Sequence, residues 1–188
     1  MLNRNTRLAL AAIAFALSGA NAIAADVKDL AKAAQNPIAS MYSVPIQSNI
    51  DFDWGPDGDT FSVTNIQPVL PFSLGDDWNL VTRTILPVVS QPGLVPGQGR
   101  ETGISDTLFT GFFVPNNSSD LIWGVGPVIQ FPTASDSRLG KEEWGAGASA
   151  VALMMPGRWV VGGLVSNLWG IDEDRGNEIN LFTFQPFI

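Results

Sequence analysis

The stretch IQSNIDFDW, residues 46–54, alternates between apolar and polar side chains. Ile46 and Ile50 fall on one side of an extended chain, while Asn49 and Asp51 fall on the other. Successive side chains of a β-strand point to opposite faces, so this period of two predicts a strand with one apolar and one polar side. In a soluble sheet the apolar side would face a core, whereas in a membrane barrel it would face lipid.

Seven further segments have strand-like patterns, and most have about the 9–11 residues of a tilted membrane-spanning strand. They are residues 60–74, 78–88, 104–114, 121–131, 144–154, 159–169 and 179–188. The first of them changes phase at Asn65, which predicts a bulge there, and residues 104–114 are apolar in both phases. We therefore predict an all-β fold, an antiparallel up-and-down transmembrane β-barrel with about eight strands.

The N-terminus has the features of a secretory signal. Arg4 and Arg7 precede an apolar run over residues 8–17, and Ala22 and Ala24 are the small residues of a cleavage site. We expect residues 1–24 to be removed, which places the protein in the bacterial outer membrane if the barrel prediction holds.

The remaining chain divides into two parts. Residues 25–42 form an N-terminal periplasmic or plug segment, and residues 43–188 form the barrel. Within the first part, residues 26–35 have the apolar spacing of a short helix that Pro37 ends. A disordered leader is the alternative for that segment.

Composition excludes several classes of function. The chain has no Cys and no His, so disulfides, thiolate metal sites, Cys nucleophiles and the usual general base near neutral pH are absent. A net charge of −8 disfavours nucleic acid as a partner. No mature segment is apolar over the ~18 residues of a spanning helix, so a membrane protein of this sequence must be a barrel. We predict no enzyme activity and no cofactor.

The lengths of the connections favour a membrane barrel. The long ones cover residues 90–103, 133–143 and 171–178, and the short ones cover 75–77, 115–120 and 156–158. The two kinds alternate along the chain, apart from a short opening connection. Long outer loops with short periplasmic turns are typical of outer-membrane barrels.

The six tryptophans lie at ends of predicted strands, and we expect them to form two aromatic girdles at the membrane interfaces. The periplasmic set is Trp78, Trp123 and Trp159, and the outer set is Trp54, Trp144 and Trp169. Tryptophan also ends strands in soluble sheets, so the pattern has a second explanation.

Five polar residues are candidates for lining the lumen and for selecting the solutes that pass through it. They are Asp51, Asp53, Arg83, Asp106 and Gln130. We expect the charged ones to form an ion-pair network, because charges inside a barrel need partners. The alternative is an electrostatic constriction that selects solutes.

Two other sets have simpler explanations. Gly124, Gly126, Gly145 and Gly147 occupy inward positions, where they mark curvature of the sheet or leave room for a ligand. Four aspartates over residues 51–59 lack calcium-loop spacing, so no metal site is predicted.

Several blocks of the chain resemble the outer-membrane barrel family labelled "MetA-pathway of phenol degradation". They are NIQPVLPF over residues 65–72, DWNL over 77–80, RTILP over 83–87, GP at 126–127, QFPTA over 130–134, GK at 140–141 and WGAG over 144–147. The resemblance implies an outer-membrane protein that admits hydrophobic or aromatic compounds, with further strands beyond residue 188. It implies no catalytic residue.

The sequence thus predicts a passive channel or transporter for small hydrophobic or aromatic compounds. Its expected partners are outer-membrane lipid, lipopolysaccharide and the solute itself. A non-conducting structural barrel and a secreted ligand-binding β-sandwich are the alternatives.

Overall fold

The computed structural model describes residues 36–55, 57–95, 97–116, 120–171 and 179–188. The described residues contain ten β-strands and no helix, which confirms the all-β prediction. The strands are β1 (Ile46–Trp54), β2 (Asp59–Ile66), β3 (Val69–Ser73), β4 (Trp78–Gln91), β5 (Glu101–Ile104), β6 (Thr107–Pro115), β7 (Leu121–Phe131), β8 (Gly145–Met154), β9 (Val161–Gly170) and β10 (Asn180–Phe187). The predicted signal segment and the predicted helix over residues 26–35 lie outside the described residues.

All ten strands belong to a single antiparallel sheet. The sheet has eight strand positions, here called rows, in the order β1-β2-β4-β6-β7-β8-β9-β10. Strand β3 continues the row of β2, and β5 continues the row of β6, each pairing with the long strand β4. The up-and-down order and the antiparallel pairing are as predicted. One end of the sheet has the short turns at 74–77, 116–120 and 155–160, and we call it the short-turn end. The opposite, long-loop end has the connections 55–58, 92–100, 132–144 and 171–179.

The break between β2 and β3 is not a bulge. Ile66 pairs with Leu86 and Val69 pairs with Arg83, so the register is the same on both sides of the break. Pro68 causes the interruption because it has no N–H to donate to a neighbouring strand. The bulge predicted at Asn65 is therefore wrong, because this row keeps its phase. The change in the sequence pattern arises because several concave-facing side chains of the row are apolar.

A real bulge separates β5 from β6. Val88 pairs with Ile104 and Ile85 pairs with Leu108, so two residues of β4 lie opposite three residues, 105–107. The Ser105 N–H donates to the Pro87 carbonyl at 2.9 Å. An extra residue in one strand redirects the side chains beside it. This bulge, together with apolar side chains on both faces of β6, explains why residues 104–114 have no clear period.

Cross-strand partners share a face, so the pairing divides the strand residues between a concave and a convex side. The concave side has an apolar core at the short-turn end, made by side chains from the N-terminal segment, five strands and one turn. Its buried members are Ile38, Val69, Val81, Phe112, Val114, Val151, Leu153, Val160 and Leu164. This core differs from the polar lumen that the sequence predicts for a whole barrel.

The sheet is a half-barrel. No described backbone pairing joins β1 to β10, yet Gln47 of β1 and Gln185 of β10 line the same cavity, so the two edges curl toward each other. The interior of an eight-stranded barrel is just wide enough to be filled by side chains. Here it also holds the start of the N-terminal segment, where Ile38 is only 2% exposed.

Two inward glycines allow the tight curl. A Cβ on Gly126 would lie 1.7 Å from the Gly111 carbonyl oxygen, and one on Gly147 would lie 1.8 Å from the Asn167 carbonyl oxygen. Both obstacles are backbone atoms of the neighbouring strand, which cannot rotate away as a side chain can. The close approach supports curvature rather than an open ligand space as the role of these glycines.

Substitution Gly126→Ala is expected to lower the free energy of unfolding by about 1–3 kcal/mol, the usual cost of overpacking. The urea midpoint followed by tryptophan fluorescence measures the change. Gly99→Ala is the control, because a Cβ at Gly99 meets no atom within 4 Å. Equal midpoints for the two variants would contradict the close approach of β6 and β7.

Candidate functional site on the concave face

The N-terminal segment is anchored in the concave face at the short-turn end. Asn36 is buried, and its side-chain oxygen accepts the Ile38 N–H at 2.9 Å, which forms a local turn. Further along, Ser43 and Val69 exchange two backbone hydrogen bonds of 3.2 and 2.8 Å. Their pairing keeps the register of β1 with β2, so the segment continues the first row of the sheet.

Three polar side chains form a ladder across the middle of the concave face. An Arg83 Nη2–H donates to Gln67 Oε1, and Gln67 Nε2 donates to Gln47 Oε1 at 3.3 Å. Gln67 is 5% exposed and Arg83 is partly buried. Within the described residues Arg83 has no ion pair with a carboxylate, so the ion-pair network expected around it is not formed there.

Two of the predicted lumen aspartates lie at the end of β1. Asp51 pairs with Phe61 and is exposed on the concave side. Asp53 has a φ of 57° and lies in a one-residue register shift between Asp51 and Trp54. Neither carboxylate is close enough to Arg83 for an ion pair.

Asp106 anchors the loop of residues 132–144. Its Oδ1 accepts the Ala134 N–H at 3.2 Å, and its Oδ2 accepts the N–H groups of Lys141 and Glu142 at 2.7 and 3.1 Å. The β5–β6 bulge directs this side chain toward the loop. Three N–H donors on one carboxylate are a strong, charge-assisted arrangement.

Gln130 and a neighbouring acid lie at the long-loop end of the concave face. Gln130 Nε2 donates to the Glu143 carbonyl at 3.3 Å. Glu143 itself is 1% exposed, and its Oε2 has no hydrogen-bond partner among the described residues. A Cβ on Gly170 would lie 2.3 Å from Glu143 Oε1, so the carboxyl group packs directly on that glycine. Glu143 was not among the predicted site residues because it ends a segment that the sequence assigns to a loop. The alternation of Gly145 and Gly147, extended backward, would have placed it inward.

The tryptophans separate into the two predicted sets of three at opposite ends of the sheet. At the short-turn end, the rings of Trp78 and Trp123 meet edge to face at 6.2 Å, and the Arg158 guanidinium lies 5.2 Å from the Trp159 ring centroid. At the long-loop end, Trp144 meets Phe131 at 5.2 Å.

Trp54 lies on a different face of the sheet from the other tryptophans. It pairs with Asp59 after the register shift and stacks on Phe61 at 5.0 Å, which places it on the concave side. Trp169, at the same end, pairs with Ala146 and faces the convex side. The one-residue shift in β1 is the physical reason for the difference, because each added residue reverses the face that follows.

Ion pairs connect two of the long loops to the first residues of neighbouring strands. Arg138 pairs with Glu101 and Asp136, and Arg100 pairs with Asp59 at 3.4 Å. The Arg138 N–H and then its guanidinium donate to the Asp136 carboxylate, and these bonds hold the pKa of Asp136 below its usual value. A lowered pKa favours the folded loop above the usual carboxyl pKa, and that contribution is lost as the pH falls through the folded-state pKa.

No group of three or more acidic residues in the described part of the chain could hold a metal ion. Within the same ranges, no helix is long and apolar enough to span a membrane.

Substitution Asp106→Asn is expected to loosen the loop of residues 132–144, because an amide carries no charge to hold three N–H groups. Removing a buried or charge-assisted acceptor typically costs about 1–3 kcal/mol. Trypsin cleavage after Arg138 and Lys141 should accelerate at least severalfold over the unsubstituted chain. Asp57→Asn, in the exposed β1–β2 turn, serves as the control. Unchanged cleavage in Asp106→Asn would show that Asp106 does not hold the loop.

No family model, curated protein or solved structure matches this chain.

Proposed function

We propose that this chain is a bacterial outer-membrane β-barrel protein that acts as a passive channel for small hydrophobic or aromatic compounds. The observation that carries the proposal is the chemistry of the convex face. At the regularly paired convex positions of the ten strands there is no Asp, Glu, Lys or Arg. A surface of this size without charge is costly in water and favourable in lipid.

Large apolar side chains are exposed on this face along the whole sheet. They include Ile46, Ile50, Phe52, Leu70, Phe72, Trp78, Phe113, Leu121, Val125, Met154, Val161, Val165, Trp169, Phe182 and Phe184. In a soluble half-open sheet, side chains such as these would be the buried ones. The core of this protein instead lies on the concave side.

Several polar side chains of the convex face have hydrogen-bond partners within the protein. The Ser48 and Thr64 hydroxyls are hydrogen-bonded at 3.0 Å, and the Thr82 hydroxyl donates to the Leu70 carbonyl at 3.2 Å. Asn167 Nδ2 likewise donates to Asn180 Oδ1 at 3.3 Å. Because lipid offers no hydrogen-bond partners, such internal pairing is what a lipid-facing surface requires.

The transport part of the proposal rests on the concave polar residues, with Arg83, Gln67 and Gln47 in mid-sheet. One observation favours a second candidate, a structural barrel that does not conduct. The apolar core at the short-turn end fills the concave face with Phe112 and Leu153, which are at most 1% exposed.

The lipid-facing prediction is tested with Val125→Arg. Val125 is 45% exposed on the convex face of β7, so a water-exposed sheet would tolerate the arginine. In a bilayer an arginine near the midplane costs about 2–4 kcal/mol, and the urea midpoint for folding into phospholipid vesicles should fall accordingly. The matched control is Val95→Arg in the loop 92–100, where the valine is 58% exposed. Two variants with equal midpoints would end the membrane proposal.

The channel is tested separately from the membrane location. Proteoliposomes of the full chain should swell in isosmotic glucose, and vesicles with a lipopolysaccharide outer leaflet should take up a small apolar fluorescent dye faster than protein-free vesicles. Swelling and uptake at the protein-free rates would leave the structural barrel as the function.

A further inference from the structure

A cavity of about 200 Å³ lies in the concave face between the two edges of the sheet. It is smaller than the ~300–1,000 Å³ of sites for drug-sized molecules. Its lining comes from the N-terminal segment, from β1 to β4 on one side and from β9 and β10 on the other. The curl of the sheet therefore creates a space to which both edges contribute.

Among the described residues, the charged group that lines this cavity is Arg83. A guanidinium has five N–H donors and no acceptor, and the side-chain bond observed for Arg83 goes to the neutral amide of Gln67. In the part of the chain that the structure describes, no carboxylate lines the cavity and none pairs with Arg83. A partly buried cation without an anion is costly unless a ligand supplies one.

The wall formed by β9 and β10 carries two apolar side chains. Leu164 is a buried member of the core, and Phe187 of β10 packs against the same cluster. The amides of Gln47 and Gln185 also line the cavity. The Arg83 side thus presents hydrogen-bond donors with a positive charge, and the β9–β10 side presents hydrocarbon beside one amide.

We propose that this cavity binds a small monocarboxylate with an apolar chain. The carboxylate accepts two N–H bonds from Arg83 in the forked geometry that guanidinium favours, and the chain lies against Leu164 and Phe187. Gln67 holds the guanidinium in place by accepting a hydrogen bond from Arg83 Nη2 through its Oε1. This goes beyond the proposed channel, because binding here does not require that any solute pass through the protein.

The test is isothermal titration calorimetry of the full chain in detergent micelles with hexanoate, with the heat of hexanoate and empty micelles subtracted. Hexanamide has nearly the same shape without the charge, and hexanoate is expected to bind about tenfold tighter or more. Along the series acetate, butyrate and hexanoate, the affinity should rise about 3- to 4-fold for each added CH₂ that is buried.

Arg83→Gln should weaken hexanoate binding about tenfold or more, and Arg83→Lys should weaken it less because it keeps the charge but loses the fork. Arg100→Gln is the matched control, since Arg100 lies at the long-loop end and should leave the affinity unchanged. Equal binding of hexanoate and hexanamide by the unsubstituted chain would overturn the proposal, whether or not the Arg83 variants fold. So would an Arg83→Gln variant that binds hexanoate normally. Solute-tight proteoliposomes combined with hexanoate binding would overturn the channel alone.

Discussion

The structure depends on a register that keeps charge off one face of a single sheet. Five charged residues lie in the strands: Asp51, Asp53, Asp59, Arg83 and Glu101. None of them occupies a regular convex position, because the pairing runs for most of the sheet without a shift. A slip by one residue would reverse the face of each side chain in a strand and place Arg83 on the apolar surface. The charge-free face, the concave core and the polar ladder all follow from that register.

The concave face then divides along the strands. At the short-turn end it is a packed core with Phe112 fully buried, and Ile38 of the N-terminal segment completes it. In the middle, Arg83 and Gln67 replace the apolar side chains. At the long-loop end, Asp106 and the ion pairs of Arg138 hold the connections in place. The structure is therefore most tightly packed where the turns are short and is held by polar bonds where the loops are long.

Alternation of side chains was enough to predict most of the sheet. The segment 121–131 matches the bounds of β7, and its apolar positions face the convex side as expected. Alternation could not locate the shift at Asp53, because one extra residue in a strand leaves the composition unchanged while it turns Trp54 to the other face. It also could not predict a core on the concave side, since a strand that is apolar on both faces has no period to detect.

The candidate site was predicted in part. The inward position of Arg83 follows from the parity of β4, and the structure places it there. Its partner Gln67 could not be inferred, because it lies beside Pro68 in a break between two strands, where sequence spacing does not fix which side chains meet. The role of Asp106 as a loop anchor depends on a bulge, and Glu143 depends on where a long loop ends. Contacts of this kind are set by three-dimensional geometry, so the spacing of residues along the sequence does not predict them.

The open edges of the half-barrel have a consequence for how this protein must be handled in water. Among the described residues, strands β1 and β10 each have one edge of backbone N–H and C=O groups without partners in the sheet, and exposed apolar side chains such as Phe52 and Phe184 flank those rows. Such rows are templates on which strands of other molecules add. Recovery of folded protein should therefore depend on protein concentration more than on temperature, and an amphiphile should be present before denaturant is diluted, so that the apolar rows are covered before two chains collide.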